Sequence, residues 1–343
     1  MSGTWPQSRP QSRPGVGVVG AGQWGRNLVR VFHGLGALRA VCSREAAHLE
    51  RAREACPGVF LCATLDELLA RPDVEAVAVA TPSETHYALA RQALLAGKHA
   101  LVEKPLTLRE DEARELVALA RERGLTLMVG HLLHYHPAFE RLKALCAAGE
   151  LGRIDYIYSH RLNLGRIRRE ENILWSFAPH DISMILALAG AMPQSLLATG
   201  GSWLQSAIAD VTVTQMDFAS GLKGHIFVSW LHPYKEQRLV AVGQGGMAVF
   251  DDGQPWEDKL LLYPHEIRWD GGAPVPVKAE AIRVDVAPGE PLQRECEHFL
   301  ECVATGARPR TDGEEGLRVL TVLGACQRSL NAAGVREVVA EAL

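Results

Sequence analysis

The stretch Gly15-Val16-Gly17-Val18-Val19-Gly20-Ala21-Gly22-Gln23-Trp24-Gly25 decides the fold. A short apolar run ends in glycines spaced G-x-G-x-x-G, with Gln23 and Trp24 between the last two, and Gln23 to Phe32 reads as the helix that follows. The spacing alone is a weak signal; a strand before it and a helix after it give it meaning. Gly20 then permits the tight turn, Gly22 lets the backbone approach a pyrophosphate, and Gly25 lets helix and strand pack closely. The helix N-terminus offers its free amides to the anion.

Working outward, strand and helix signals alternate through residues 15–131. Leu38–Cys42, Val74–Ala80, Ala100–Val102 and Leu125–Val129 read as strands, and Thr85–Ala96 as a helix stopped by Gly97. Thr107 opens another helix, with Glu110 completing a capping box. Strands alternating with crossover helices predict a parallel sheet covered on both faces. After residue 131 the pattern changes. Asp210–Phe218 and Leu222–Trp230 are strand candidates joined by the hairpin signal Ala219-Ser220-Gly221; Arg238–Val242 and Gly246–Phe250 continue the series. Helices are expected near residues 138–148, 180–189, 291–305 and 314–332, and loops at 191–202 and 271–276. The fold class is therefore α/β: an N-terminal Rossmann dinucleotide-binding domain (15–131) and a C-terminal α+β domain (132–343) with a large open, mostly antiparallel sheet. Residues 1–14, polar and proline-rich, read as a flexible leader.

Composition narrows the function classes. The 343 residues suggest about two domains, and the 36 Lys and Arg against 40 Asp and Glu give a formal net charge of −4. A slightly acidic chain lacks the positive field that a sequence-independent nucleic-acid binder needs. No apolar run approaches the roughly 20 residues of a membrane helix. The 7 cysteines are odd in number and form no Cys-x-x-Cys pair, which points to reduced thiols in the cytoplasm and argues against a zinc cage or a disulfide framework.

About 20 residues past the glycine turn, a carboxylate would normally hold the adenosine ribose. This chain has Ser43-Arg44 there. Ser43 with Arg44 suits a 2′-phosphate, which leans towards NADP. Alternatively Ser43 holds a ribose hydroxyl while Arg44 stacks on adenine or faces solvent, so NAD or NADP both stay open.

Two further segments follow strands: Thr81-Pro82-Ser83-Glu84-Thr85-His86 and Glu103-Lys104-Pro105. Both should border the cofactor, because ligands of open α/β sheets sit beyond the carboxyl ends of strands. The glycine turn, the Thr-Pro-x-x-x-His segment and Glu-Lys-Pro, in this order, resemble the Gfo/Idh/MocA oxidoreductases, from about residue 14 to 335. The resemblance implies a sugar or polyol dehydrogenase or reductase using NAD or NADP, with Thr81, Pro82, His86 and Glu103 beside the cofactor. It implies that Lys104 lies next to the nicotinamide and contacts the reacting hydroxyl. The family's Asp-x-x-x-His maps its proton-transfer histidine onto His180 and its aspartate onto Ser176, a departure. Either Ser176 keeps a hydrogen-bonding role, or Asp181 or another carboxylate replaces the missing charge. Oxidising a secondary alcohol sends a hydride to the nicotinamide and a proton to a base, and Lys104 with His180 is the expected pair.

The stretch Gly130-His131-Leu132-Leu133-His134-Tyr135-His136-Pro137 looks like a metal site, yet no acidic ligand or cysteine is near in sequence. In the family this stretch lines the substrate pocket, so His131, His134 and Tyr135 are expected at substrate, and no metal is expected. Arg161, Arg166, Arg168 and Arg169 lie in a stretch that reads as a loop, followed by Trp175 and Ser176. It is a solvated basic loop or an anchor for an anionic substrate, since guanidinium forks match phosphate oxygens. The segment 161–175 is similar to the family branch acting on nucleotide-linked amino sugars, the UDP-N-acetylglucosamine 3-dehydrogenases. That implies oxidation of a UDP-linked N-acetylhexosamine at carbon 3, a partner aminotransferase, and a homodimer or homotetramer through strands 210–230. The alternatives are a UDP-N-acetylglucosaminuronate 3-dehydrogenase, a free sugar or inositol dehydrogenase, and a non-catalytic dinucleotide-sensing regulator.

Overall fold

A computed structural model describes residues 13–165 and 167–339. The expected leader, apart from Arg13 and Pro14, and Arg166 therefore lie outside the described residues. The chain forms two compact units and crosses between them at 103/104, 114/115, 128/129, 294/295 and 312/313, where the sequence suggested one boundary after 131.

Six strands, β1 (Val16–Val19), β2 (Leu38–Cys42), β3 (Phe60–Cys62), β4 (Ala76–Val79), β5 (His99–Glu103) and β6 (Leu127–Gly130), form one sheet in the order β3-β2-β1-β4-β5-β6. β1 pairs with β2 and with β4, β2 with β3 and β4 with β5, all in parallel. Every residue of β1 and β4 is buried, as their unbroken small and β-branched runs require. The connections carry α1 (Gly25–Gly34), α2 (Ala46–Ala55), α3 (Leu65–Leu69), α4 (His86–Leu95) and α5 (Glu110–Glu122). The strand order reverses between β1 and β4, so the turns after these two strands flank one crevice. The helix expected from Thr107 starts at Glu110. The Thr107 hydroxyl donates to the Arg109 carbonyl at 2.7 Å, so it shapes the approach to the helix and the capping box is not its start.

In the rest of the chain come α6 (Pro137–Ala147), β7 (Ile154–Leu162), α7 (Ile173–Ala189), β8 (Ser195–Gly201), β9 (Val211–Asp217), β10 (Lys223–Ser229), β11 (Glu236–Gly243), β12 (Gly246–Asp251) and β13 (Leu260–Tyr263). A hairpin of β14 (Glu266–Asp270) and β15 (Ala273–Val277), then β16 (Ile282–Arg283), α8 (Pro291–Thr305), α9 (Gly313–Asn331) and β17 (Glu337–Val338) complete it. The second sheet has nine strands in the order β16-β13-β12-β11-β7-β10-β9-β8-β17. Among its pairs, only β7 with β10 is parallel. The expected hairpin is β9 and β10, paired Asp217 to Lys223. Its central strand β7 begins before the stretch read as a loop and takes Arg161 into the sheet, and β8 and β15 replace expected loops. One face of this sheet packs on α7 and α9. Ile157, Ile226, Val228, Met216 and Phe250 from the strands meet Ala178, Ile182, Ile185, Val322 and Cys326 from the helices in one apolar core. On the strands' other side, Tyr158 stacks on His225 with ring centroids 5.1 Å apart, and His160 meets Phe227 edge-on.

Candidate functional site

The first cluster lies beyond the carboxyl ends of β1, β4 and β5. Gly20 has φ of +89°, and a Cβ there would sit 2.7 Å from the Ala80 carbonyl oxygen. At Gly25 a Cβ would come within 1.8 Å of the Gly20 carbonyl oxygen, so only glycine lets α1 start this close to β1. Gly22 differs: a Cβ would meet only the His48 ring, at 3.7 Å. The turn is thus closed where helix and strand pack and open where a phosphate would approach, a fit to a dinucleotide pyrophosphate. Gln23 and Trp24 are exposed, and no side chain caps α1. The Trp24 indole N–H donates to a Glu103 carboxylate oxygen, fixing the glycine turn to the end of β5.

Ser43 is buried at the end of β2 and its hydroxyl lies 3.3 Å from His48 Nδ1, while Arg44 is exposed. His48, on α2, was missed by sequence reading because no pattern ties a helix residue to the glycine turn. His86 is buried and its Nε2 lies 2.9 Å from the Thr81 carbonyl oxygen; the Thr81 and Thr85 hydroxyls bond each other at 2.7 Å, beside Pro82. His86 thus staples the loop after β4. Glu295 on α8 also went unnoticed. It is fully buried, and burial first, then the Glu103 charge, raises its carboxyl well above the usual carboxylate range.

The second cluster is built on α7. Asn172 caps this helix through the Trp175 N–H, and the Trp175 indole donates to Gln327 at 2.9 Å. The helix was expected only from about 180 because Pro179 reads as a break; instead it continues through Pro179. A proline there has no N–H for the Trp175 carbonyl, four residues back. Lys104 uses the Ser176 carbonyl, donating from Nζ at 2.8 Å. His180 stands one turn further along. It is partly exposed, but its Nδ1 is buried with no hydrogen-bond partner among the described residues. Burial first, then the Lys104 charge, and after it Arg161, His131 and His134, push His180 well below the ordinary histidine range.

Asp181 does not stand in for a carboxylate at 176. Fully buried, it accepts from Arg161 through Nε at 2.8 Å and a second guanidinium nitrogen at 3.2 Å, and from the Ser159 hydroxyl. Arg161 is therefore paired inside the protein, not held out on a loop. Arg168 bonds Glu171 at 3.0 Å. The three histidines of the 131–136 stretch are buried, as is Tyr135. His131 Nδ1 lies 2.6 Å from a Glu315 oxygen, Ser183 donates to the other Glu315 oxygen at 2.7 Å, and His134 Nε2 lies 2.6 Å from the Ser183 hydroxyl. His136 sits 3.2 Å from Asp252 and stacks on Trp256. Acidic partners missing nearby in sequence are supplied from residues 252 and 315. No group of three or more His, Cys, Asp or Glu that could hold a metal occurs among the described residues. All 7 cysteines are free thiols, and no described helix is long and apolar enough to cross a membrane.

Known proteins match this chain in sequence and fold. Residues 15–131 match the family described as an oxidoreductase family with NAD-binding Rossmann fold, and residues 139–249 match the GFO/IDH/MocA C-terminal domain. The chain is 32% identical over 317 residues, 89% of its length and 93% of the relative's, to UDP-N-acetylglucosamine 3-dehydrogenase of Acidithiobacillus ferrooxidans. A solved structure of that enzyme superposes with a TM-score of 0.82, covering 93% of this chain and 97% of the other. Inositol 2-dehydrogenase of Rhizobium meliloti is 26% identical over 92% of this chain and 96% of its own. GenD2 of gentamicin A biosynthesis, solved in complex with NAD, is 25% identical with a TM-score of 0.81 and covers 99% of this chain and 100% of the other.

Proposed function

The chain belongs to the Gfo/Idh/MocA family of NAD-dependent oxidoreductases acting on hydroxyl groups, and from that premise we propose that it oxidises a ring hydroxyl, at carbon 3, of a UDP-linked N-acetylhexosamine. The observation that carries this reading is the 32% identity, spread over 89% of the chain, to an enzyme of that name. The α7 cluster suits the chemistry. A substrate hydroxyl that reaches His180 and Lys104 meets a neutral imidazole able to take its proton and an ammonium able to steady the developing oxyanion. A bound dinucleotide supplies the hydride acceptor. Gly20, Gly22 and Gly25 would hold its pyrophosphate, Ser43 with His48 its ribose, and Trp24 with Glu103 would border it, with Thr81, Pro82 and the His86 staple alongside. Arg44, exposed at the adenosine end, leaves room for a 2′-phosphate, so NADP is carried as an alternative to NAD.

A second reading, oxidation of a free cyclic polyol, is favoured by one observation. Arg161 spends its guanidinium fork on buried Asp181, and Arg168 pairs through Nε with Glu171, which leaves fewer free groups for a diphosphate. In the first reading His131, His134, Tyr135, Trp175 and Ser176 shape the wall behind the sugar. We further propose a cytoplasmic homo-oligomer paired through β9 and β10, working with an aminotransferase that consumes the keto sugar. The test is to incubate the protein with NAD or NADP and either UDP-N-acetylglucosamine, its uronate or myo-inositol, and follow reduced-nicotinamide absorbance. The first reading expects turnover of the UDP-sugar; turnover of myo-inositol alone transfers the assignment to the polyol, and tight cofactor binding without any turnover favours a sensor.

A further inference from the structure

Glu315 lies on α9, 184 residues from His131 in sequence, yet it organises the groups around His180. One of its oxygens accepts from His131 Nδ1 and the other from the Ser183 hydroxyl. Ser183, having given its only proton to Glu315, must accept from His134 Nε2. The chain of donors therefore runs in one direction and ends on the carboxylate. It fixes His131 as an Nδ1–H ring and His134 as an Nε2–H ring. Ser176, His180 and Ser183 stand three and four residues apart on α7 and so share one face of that helix. The network thus sits against the face that carries His180, whose buried Nδ1 has no partner among the described residues.

The charges around His180 come from several elements. Lys104 approaches from the loop after β5, Arg161 from β7, His131 and His134 from the turn after β6, Asp181 from α7 itself, and Glu315 from α9. Asp181 neutralises Arg161. Glu315 is the carboxylate that answers the two imidazoles.

We propose that Glu315 is a positioning residue for the alcohol oxidation: through His131 and Ser183 it holds the neighbouring imidazoles in fixed orientations, each donating from a defined ring nitrogen, and its negative charge offsets the positive charge that builds on His180. This deepens, and rests on, the reading of Lys104 and His180 given above. In that step the substrate O–H bond breaks and its proton goes to His180, while the carbon-bound hydrogen leaves with its electron pair to the nicotinamide. His180 becomes a cation beside Lys104, and one fixed negative charge in the adjoining network lowers the cost. Burial pushes the Glu315 carboxyl up, but the His131 charge and hydrogen bond, then His134 and Ser183, outweigh it and hold it down at about 2, so it stays ionised at working pH.

The test uses the full-length protein with histidines labelled at ring nitrogen and carbon. In the wild type, ring-nitrogen shifts are expected to show a proton on His131 Nδ1 and, for His134, a proton on Nε2. A bare His131 Nδ1, or a His134 proton on Nδ1 in place of Nε2, overturns the proposal without any variant having to fold. In Glu315→Gln, the His180 titration midpoint is expected to fall by about one pH unit, with the acid limb of kcat moving down with it. Turnover with UDP-N-acetylglucosamine or myo-inositol, whichever the wild type accepts, is expected to drop at least tenfold at unchanged NAD affinity, and Glu315→Asp is expected to recover part of it. A folded Glu315→Gln protein with wild-type midpoint and acid limb overturns the proposal. Lys104→Met and His180→Asn run alongside: if they retain turnover, the underlying site reading fails, and if they are inactive while Glu315→Gln is normal, this inference alone fails.

Discussion

The glycine turn and the α7 cluster solve opposite problems. The turn from Gly20 to Gly25 is made of backbone, and its specificity lies in what does not fit: a single added carbon at Gly25 would collide with the Gly20 carbonyl. The α7 cluster is made of side chains drawn from residues 104, 131–134, 159–161, 176–183 and 315, and its specificity lies in which donor finds which acceptor. Backbone constraints of the first kind act over a few residues and leave their mark in adjacent letters. Polar satisfaction of the second kind is settled only when distant segments meet.

The comparison breaks first at Lys104. If the side-chain cluster carries the chemistry and the glycine turn carries the dinucleotide, Lys104→Met separates the two. Turnover is expected to fall 10²- to 10⁴-fold, while the dissociation constant for NAD, read by calorimetry, stays within a few-fold. A large loss of NAD affinity would mean that Lys104 acts mainly on the cofactor.

Arg161 tests whether a residue expected at the substrate is instead part of the frame. Its guanidinium and the Asp181 carboxylate are both buried and bonded twice, so Arg161→Met strands a buried carboxylate. The expected cost is about 3–5 kcal/mol of unfolding free energy, measured by denaturant titration. A loss below about 1 kcal/mol, with a raised KM for the sugar, would restore Arg161 to the substrate.

These residues also show where sequence reading stops. The alternation of the first unit, Gly20-x-Gly22-x-x-Gly25, and Glu103-Lys104-Pro105 were legible because each is local. β7 was not, since two of its inward positions are Ser159 and Arg161 and they break the apolar period of two. The start of α7 was hidden by Pro179. His131, His134 and His136 were legible as a cluster, but their partners Ser183, Asp252 and Glu315 were not, because nothing in a linear pattern marks the acceptor that a fold will bring to a buried imidazole.

Acid sharpens the contrast, because the side-chain cluster is titratable and the glycine turn is not. Burial, the leading cause, pushes His134 down to about 4 from an ordinary value near 6.5. Its folded form therefore binds protons less readily than its unfolded form, so its contribution is fully present above pH 6.5 and is lost as pH falls towards 4. Two and a half units correspond to about 3 kcal/mol of stability. Glu315, held at about 2, adds a loss of the same sign below its ordinary range near 4.5. Urea midpoints are expected to fall steadily from pH 7 to pH 4, and His134→Asn should flatten the upper part of that slope. A flat profile in the wild type would mean that His134 is not buried as a neutral ring.

The smallest effect probes the one place where the glycine turn borrows a distant partner. Trp24 lies between Gly22 and Gly25, yet its indole N–H reaches Glu103, 79 residues on. If the turn is held by backbone sterics alone, Trp24→Phe, which keeps the ring and removes the donor, leaves NAD affinity unchanged. If the bond to Glu103 helps hold the turn open for the pyrophosphate, the variant loses about 1 kcal/mol, or roughly fivefold in affinity, because the ring must then find its place without a directed contact. The indole is half-exposed and competes with water, which keeps the expected loss this small. A loss that also disappears in Glu103→Gln, where the acceptor is no longer charged, would assign it to the hydrogen bond and not to the change of ring size.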